Sequence, residues 1–329
     1  MVASTNLGVF GYLPGQPDFV RVRATDREIR RLEDWLERAL HQARWEMGGG
    51  FAVAYPRLFH RFIFRLDNSD RIVIGVLCAS VDCHQRPFPF VAFDLIPTPV
   101  WDLAPAALIG CNRAFFSALE QLLRSVGSLA HIGQIHGQVA VAPAATLLAD
   151  EAAGDGESEA RQEARYTNFL QETTCAELGD QAARCGLSLC HELLDMLSQE
   201  QDPRQLRQAL ALPLSRPPFA RELELRFYIS LLHSLLAAHH PTLTLFWQLG
   251  GAEPGSLVVS FREPTLDVFS ALIGRAVGRG VCYPGTARMP LSSLRPGLTH
   301  ATSLNTLLAV IGDKSSRESW NRRENGNHL

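Results

Sequence analysis

The sequence predicts an α/β protein of the α+β type, with a mainly antiparallel central sheet of about five strands, flanking helices and a helical insertion. Three observations carry this expectation. Residues 62–66, 71–79 and 88–95 are apolar runs rich in β-branched and aromatic side chains, and their short connections suit an antiparallel meander. Residues 242–249 and 256–261 repeat the pattern late in the chain, joined by a loop of Gly and Pro. The segments around these runs place apolar residues at helical spacing instead.

In chain order, residues 8–22 read as a short strand and a turn, punctuated by Gly8, Gly11, Pro14, Gly15 and Pro17. Thr25 and Glu28 then form a capping-box pattern, in which hydroxyl and carboxylate each satisfy an orphan backbone N–H. Ile29, Leu32, Trp35, Leu36, Ala39, Leu40 and Ala43 recur at helical spacing until the glycines at 48–50 stop the helix. After the meander, a helix is expected over about 104–126, with Leu108, Phe115, Phe116, Leu119, Leu122 and Leu123 as its apolar face.

Residues 150–165 set Asp150, Glu151, Asp155, Glu157 and Glu159 among Gly, Ala and Ser, which reads as an exposed acidic loop. Residues 166–212 read as largely helical, interrupted at Pro203 and ended by Pro213, Pro217 and Pro218. A further helix is expected over 221–239. The two late strands follow, then a last substantial helix at 265–277, and 313–329 is a polar tail expected to be disordered. The assembly is residues 1–145 and 219–312 building one α/β domain, with 146–218 as a helical insertion carrying the acidic loop. A clean split into two domains near residue 155 is the alternative.

The 329 residues are 46% hydrophobic and 20% charged, enough for a packed core and incompatible with wholesale disorder. A net charge of -3 supplies no global basic field, so neither nucleic acid nor direct membrane insertion is expected. No stretch reaches the roughly 18 apolar residues of a spanning helix, and residues 1–6 lack the basic start of a signal peptide. The seven scattered cysteines then read as reduced thiols in a cytoplasmic protein.

Familiar catalytic signatures are missing. The sequence has no P-loop, no G-x-S-x-G elbow, no H-E-x-x-H helix and no Cys-x-x-Cys pair. No cofactor or metal is expected. One segment could carry chemistry, Ser80-Val81-Asp82-Cys83-His84-Gln85-Arg86, with carboxylate, thiol, imidazole and guanidinium close together. The plainer reading is structural: an Asp opening a strand–strand loop bonds nearby backbone N–H groups, and Arg86 pairs with it. His239-His240 read as a helix C-terminus, where imidazole suits the dipole. Trp35, Trp45, Phe115 and Phe116 read as core or interface, and the Arg30-Arg31 and Arg322-Arg323 pairs as solvated charge.

The opening is more specific. Gly8-Val9-Phe10-Gly11-Tyr12-Leu13-Pro14-Gly15-Gln16-Pro17-Asp18-Phe19-Val20, followed by a helix with Trp35-Leu36, resembles the N-terminal signature of the TagF/ImpM family, accessory proteins of bacterial type VI secretion systems. Ser80-Val81-Asp82 with Arg86-Pro87-Phe88-Pro89 is similar to a second block of that family. Leu245-Phe246-Trp247, Gly250-Gly251, Pro264 and Phe269 to Gly274 are similar to a third. Tyr12 stands where the family has Lys, Pro17 where it has Gly, Gln85 where it has the Gly before Arg86, and Phe246 where it has the first Trp.

The resemblance implies a post-translational regulator, usually a brake on the secretion machine, that acts by binding a forkhead-associated scaffold protein. It singles out Asp18, Phe19, Asp82, Arg86 and Trp247 as positions that either stabilise one exposed face or contact the partner. Two other classes stay open on the residues: an enzyme using Cys83 or His84 as nucleophile or base, and a structural component of the machine.

Overall fold

The computed structural model describes residues 7–98, 105–125, 156–174, 177, 209–214, 220–236, 243–250, 255–274, 281–282 and 302–312. The chain divides into two units. The first comprises Met1–Asp150, Leu206–Pro213 and Thr242–Tyr283, and the second Glu151–Gln205, Leu214–Pro241 and Pro284–Leu329.

The first unit is built on one sheet. Its strands in chain order are β1 (Gly8–Gly11), β2 (Val20–Val22), β3 (Phe59–Arg65), β4 (Arg71–Cys78), β5 (Phe90–Pro97), β6 (Ala209–Leu214), β7 (Thr244–Gln248), β8 (Gly255–Ser260) and β9 (Val281–Cys282). Across the sheet they run β2-β1-β5-β4-β3-β7-β8-β6-β9. The expected meander is present: β3, β4 and β5 pair antiparallel, with Ile63 opposite Ile74 and Val76 opposite Ala92. The late pair β7–β8 is also antiparallel and joins the meander through β3.

The strand number is a correction, since among the described residues nine strands replace about five. Ala209–Leu214, expected inside a helical insertion, is a strand, and the two-residue β9 pairs parallel with it. The segment Ala-Leu-Ala-Leu-Pro-Leu is apolar on both faces, so no period separates helix from strand, and only the sheet beside it decides.

Helix α1 (Arg27–Met47) lies on one face of the sheet. Its apolar stripe joins Phe62, Phe64, Val73, Leu77, Val91, Phe93 and Phe246 in one core. Trp35 is fully buried, stacks on Phe246 with ring centroids 5.3 Å apart, and donates its indole N–H to the Thr265 carbonyl at 3.2 Å. Truncating such a side chain costs on the order of 3–5 kcal/mol. Gly48, at φ 53, ends the helix in the left-handed region, and a short helix α2 (Phe51–Ala54) follows.

The expected capping box does not form. The N-cap is Asp26, with no side-chain cap bond. Glu28 turns to the start of β4 instead, accepting from Ser69 Oγ at 2.6 Å and Arg71 Nη2 at 3.3 Å, while Arg71 also reaches Asp26 at 2.9 Å. A charge-assisted tertiary partner outcompetes the local backbone N–H.

The opposite face carries α3 (Pro105–Cys111) and α4 (Arg113–Ser125). The single expected helix breaks at Asn112, whose side-chain amide donates to the Leu108 carbonyl at 2.8 Å. Phe116 packs edge-on against Trp247 at 5.0 Å, and Arg61 of β3 pairs with Glu120 at 2.6 Å.

In the second unit, α5 (Gly156–Glu172), α6 (Arg221–Leu236) and α8 (Leu304–Gly312) pack on one another. The acidic segment is thus corrected over 156–165, which is helix rather than loop, and Glu163 pairs with the buried Arg226. Arg226 also lies over the Tyr166 ring at 4.1 Å, and Tyr166 meets Ser230 through their hydroxyls at 2.9 Å. Helix α7 (Leu266–Leu272), back in the first unit, is shorter than expected because Gly274 at φ 83 terminates it. It is not the last helix, since α8 follows. Residues 146–155, 178–208, His239-His240, Arg322-Arg323 and the tail 313–329 lie outside the described residues.

Candidate functional site

Two family blocks meet in one place. The connection from β1 to β2 carries Tyr12 to Phe19, and the connection from β4 to β5 carries Ala79 to Pro89. Because β1 pairs with β5, these two loops leave the same region of the sheet. Ser80 Oγ donates to the Tyr12 carbonyl at 2.7 Å, the Cys83 N–H to the Gln16 carbonyl at 3.1 Å, and Arg86 Nη2 to the Pro17 carbonyl at 2.9 Å. From below, Tyr55 donates its hydroxyl hydrogen to the Ser80 carbonyl at 2.9 Å and accepts from the Ser80 N–H at 3.2 Å.

Asp82 organises the corner. Its side chain is fully buried. Oδ1 accepts the backbone N–H groups of His84 at 2.9 Å and Arg86 at 2.8 Å, and Oδ2 pairs with Arg86 Nε. Burial pushes its carboxyl up, but the Arg86 N–H, the Arg86 guanidinium and the His84 N–H outweigh burial and hold it below the usual carboxylate range. The chain closes the turn with the Gln85 N–H donating to the Asp82 carbonyl at 3.1 Å. Gln85 sits at φ 61, in the left-handed region where the family pattern has Gly.

An aromatic cluster fills the space between the loops. Phe19 meets Phe88 at 5.0 Å and Tyr12 at 5.5 Å, both edge-on. Arg86 lies over Tyr12 at 5.3 Å and Arg21 over Phe19 at 4.6 Å. Gly11, at φ 129, has its backbone so near Pro89 that a Cβ would fall 2.1 Å from the Pro89 carbonyl oxygen. Gly11 of the signature is therefore fixed by close approach of β1 to the start of β5.

The five singled-out residues separate into three groups. Phe19, Asp82 and Arg86 come together here. Asp18 is exposed, and among the described residues its carboxylate forms none of the expected backbone bonds. Trp247 is fully buried beneath Phe116 on the α4 face, so it serves the core and offers no surface. Cys83 and His84 are exposed at the tip, and no hydrogen bond joins their side chains among the described residues. Both Asp82 oxygens are already spent within the turn. Sequence reasoning passed over Tyr55 and the stacking role of Tyr12. Tyr55 lies in no motif, whereas an aromatic at the family's Lys position, in a loop facing Arg86, is a signal open to reading.

Among the described residues no cluster of three His, Cys, Asp or Glu groups could hold a metal ion, and no helix is long and apolar enough to cross a membrane. Cys78, Cys83 and Cys111 carry no disulfide.

Compared with known proteins, residues 8–140 match the family described as the TagF N-terminal domain, type VI secretion system-associated. No curated protein matches the chain significantly. Among solved structures, the chain is similar to the crystal structure of PA0076 from Pseudomonas aeruginosa PAO1, at 17% identity and a TM-score of 0.49, covering 89% of this chain and 100% of that one. The glycine-fixed β1 strand, the Asp18-Phe19 loop and the Asp82–Arg86 corner all fall inside the span that matches the TagF N-terminal domain, described as type VI secretion system-associated.

Proposed function

We propose that this protein is a cytoplasmic, non-catalytic negative regulator of a type VI secretion system, and that it acts by binding a forkhead-associated scaffold protein. The observation that carries the reading is the TagF N-terminal domain over residues 8–140. The corner supports a binding role over a catalytic one. Its carboxylate is consumed in shaping the turn, and its guanidinium spans the Asp82 side chain, the Pro17 carbonyl and the Tyr12 ring. Such an arrangement presents a rigid surface.

The test is affinity capture of the tagged full chain from its own cells, with the recovered proteins identified by mass spectrometry. A forkhead-associated protein is expected, and Arg86→Ala is expected to lose it; because the variant also strips the guanidinium from the buried Asp82 carboxylate and lowers the melting temperature, capture is compared at a temperature where circular dichroism shows the variant folded. A folded native bait that recovers no secretion-system regulator refutes the scaffold mechanism. Labelling of Cys83 by a thiol-reactive probe at neutral pH much faster than that of a cysteine in an unfolded peptide would refute the non-catalytic part, since exposure at the tip alone already admits the probe.

A further inference from the structure

The inner face of α1 is spent on the core, and among the described residues no helix or strand covers its outer face. Arg27, Arg31, Asp34, Arg38, His41 and Trp45 are all exposed and follow at alternating spacings of four and three, which sets them on one line along the helix. Arg30, Glu37 and Arg44 flank that line and are exposed too. The face thus carries five arginines against two carboxylates, in a chain whose net charge is -3. Arg31 reaches Glu263 at 3.8 Å, and Arg38 donates Nε to the Asp34 carbonyl of its own helix. Arg27, Arg30 and Arg44 have no carboxylate partner among the described residues. At the end of the line Trp45 is 82% exposed, and across the Gly48–Gly50 turn Val53 is 71% exposed. These two are the exposed large hydrophobic side chains among the described residues.

We infer that the outer face of α1 is a docking surface for an acidic helical segment of a partner protein, with an apolar pocket or side chain that receives Trp45. The spacing is that of one helix lying along another. The uncompensated guanidinium groups match carboxylates, which they hold as planar forks. Trp and Arg are the residues that dominate protein interfaces, and an indole held in solvent gains most when covered. Asp34 and Glu37, in the middle of the face, repel a polyphosphate backbone or an anionic bilayer but are tolerated by a protein of mixed charge. The surface lies on a different element from the Asp82–Arg86 corner and is tested without any secretion-system component, so either reading can fail alone.

The experiment is selection of a displayed library of random peptides against the full chain, followed by binding of the enriched peptides in solution. Enriched peptides are expected to combine Asp or Glu with Leu or an aromatic residue. Their affinity is expected to fall about tenfold or more for Trp45→Ser and for the Arg30→Glu, Arg38→Glu double variant, and to weaken with added salt. All substituted side chains are exposed, so circular dichroism melts of the variants should overlay the native one. Glu→Arg changes in the peptide should restore binding to the double variant. Enrichment of peptides without acidic residues, or affinity unchanged in the variants, overturns the proposal. So does Arg-dependent binding of phosphatidylglycerol vesicles or duplex DNA with no acidic peptide bound, which would assign the face to a membrane or to nucleic acid.

Discussion

Acidification tests how completely β3 is buried. His60 is 2% exposed, and its Nδ1 has no hydrogen-bond partner among the described residues. Burial pushes its pKa from the ordinary 6.5 down to about 3. The unfolded chain therefore takes up a proton near pH 6.5, whereas the folded chain resists until near pH 3. Above pH 6.5 both states are neutral and nothing is lost. Below it the unfolded state binds the proton first, so stability falls as pH falls. With each pKa unit equivalent to about 1.4 kcal/mol, the loss is about 2 kcal/mol at pH 5 and approaches about 5 kcal/mol below pH 3.

His60→Leu removes the titrating group at similar volume. Near pH 7 the two proteins should agree within about 1 kcal/mol. At pH 5 the variant should keep the roughly 2 kcal/mol that the native protein loses. Urea unfolding followed by tryptophan fluorescence reads this directly, because Trp35 and Trp247 are buried in the same unit as His60. Carboxylates titrate alike in both proteins, so the difference between them isolates position 60. Parallel pH profiles would refute the argument and mean that His60 is reached by water or paired when charged.

Two further substitutions follow from local geometry. Gln85→Gly should stabilise the protein by about 1 kcal/mol, because position 85 holds a left-handed φ of 61 that costs a side-chain-bearing residue; a lower urea midpoint would show that the turn is not strained there. Glu28→Ala should cost about 1–3 kcal/mol, since it removes a buried charge-assisted acceptor from Ser69 Oγ and a carboxylate from Arg71, while Thr25→Ala should stay within about 0.5 kcal/mol. Equal losses in the same unfolding assay would restore the capping box.

The amphipathic stripe of α1, the meander and the late hairpin were legible in the sequence because each depends on a local period. The Gly11 and Asp82–Arg86 motifs were legible too, because close backbone approach and tight turns restrict residue type. The strands β6 and β9 were not, since a run apolar on both sides takes its conformation from its neighbour. The helix at 156–165 was misread for a related reason: a charged, small-residue segment has a weak period of its own, and the packing of α6 and α8 fixes this one in the second unit.

The sequence by itself determined which residues are apolar at which period, where backbone freedom is needed, and the kinship of residues 8–140. Only the tertiary structure decided what those residues do. It sent Glu28 to Ser69 and Arg71 rather than to its own helix end, and it sealed Trp247 under Phe116 while leaving Trp45 in solvent. The physical reason is that ion pairing and burial depend on distances between residues far apart in the chain. Local spacing restricts the conformation of a segment but not the identity of the group it meets.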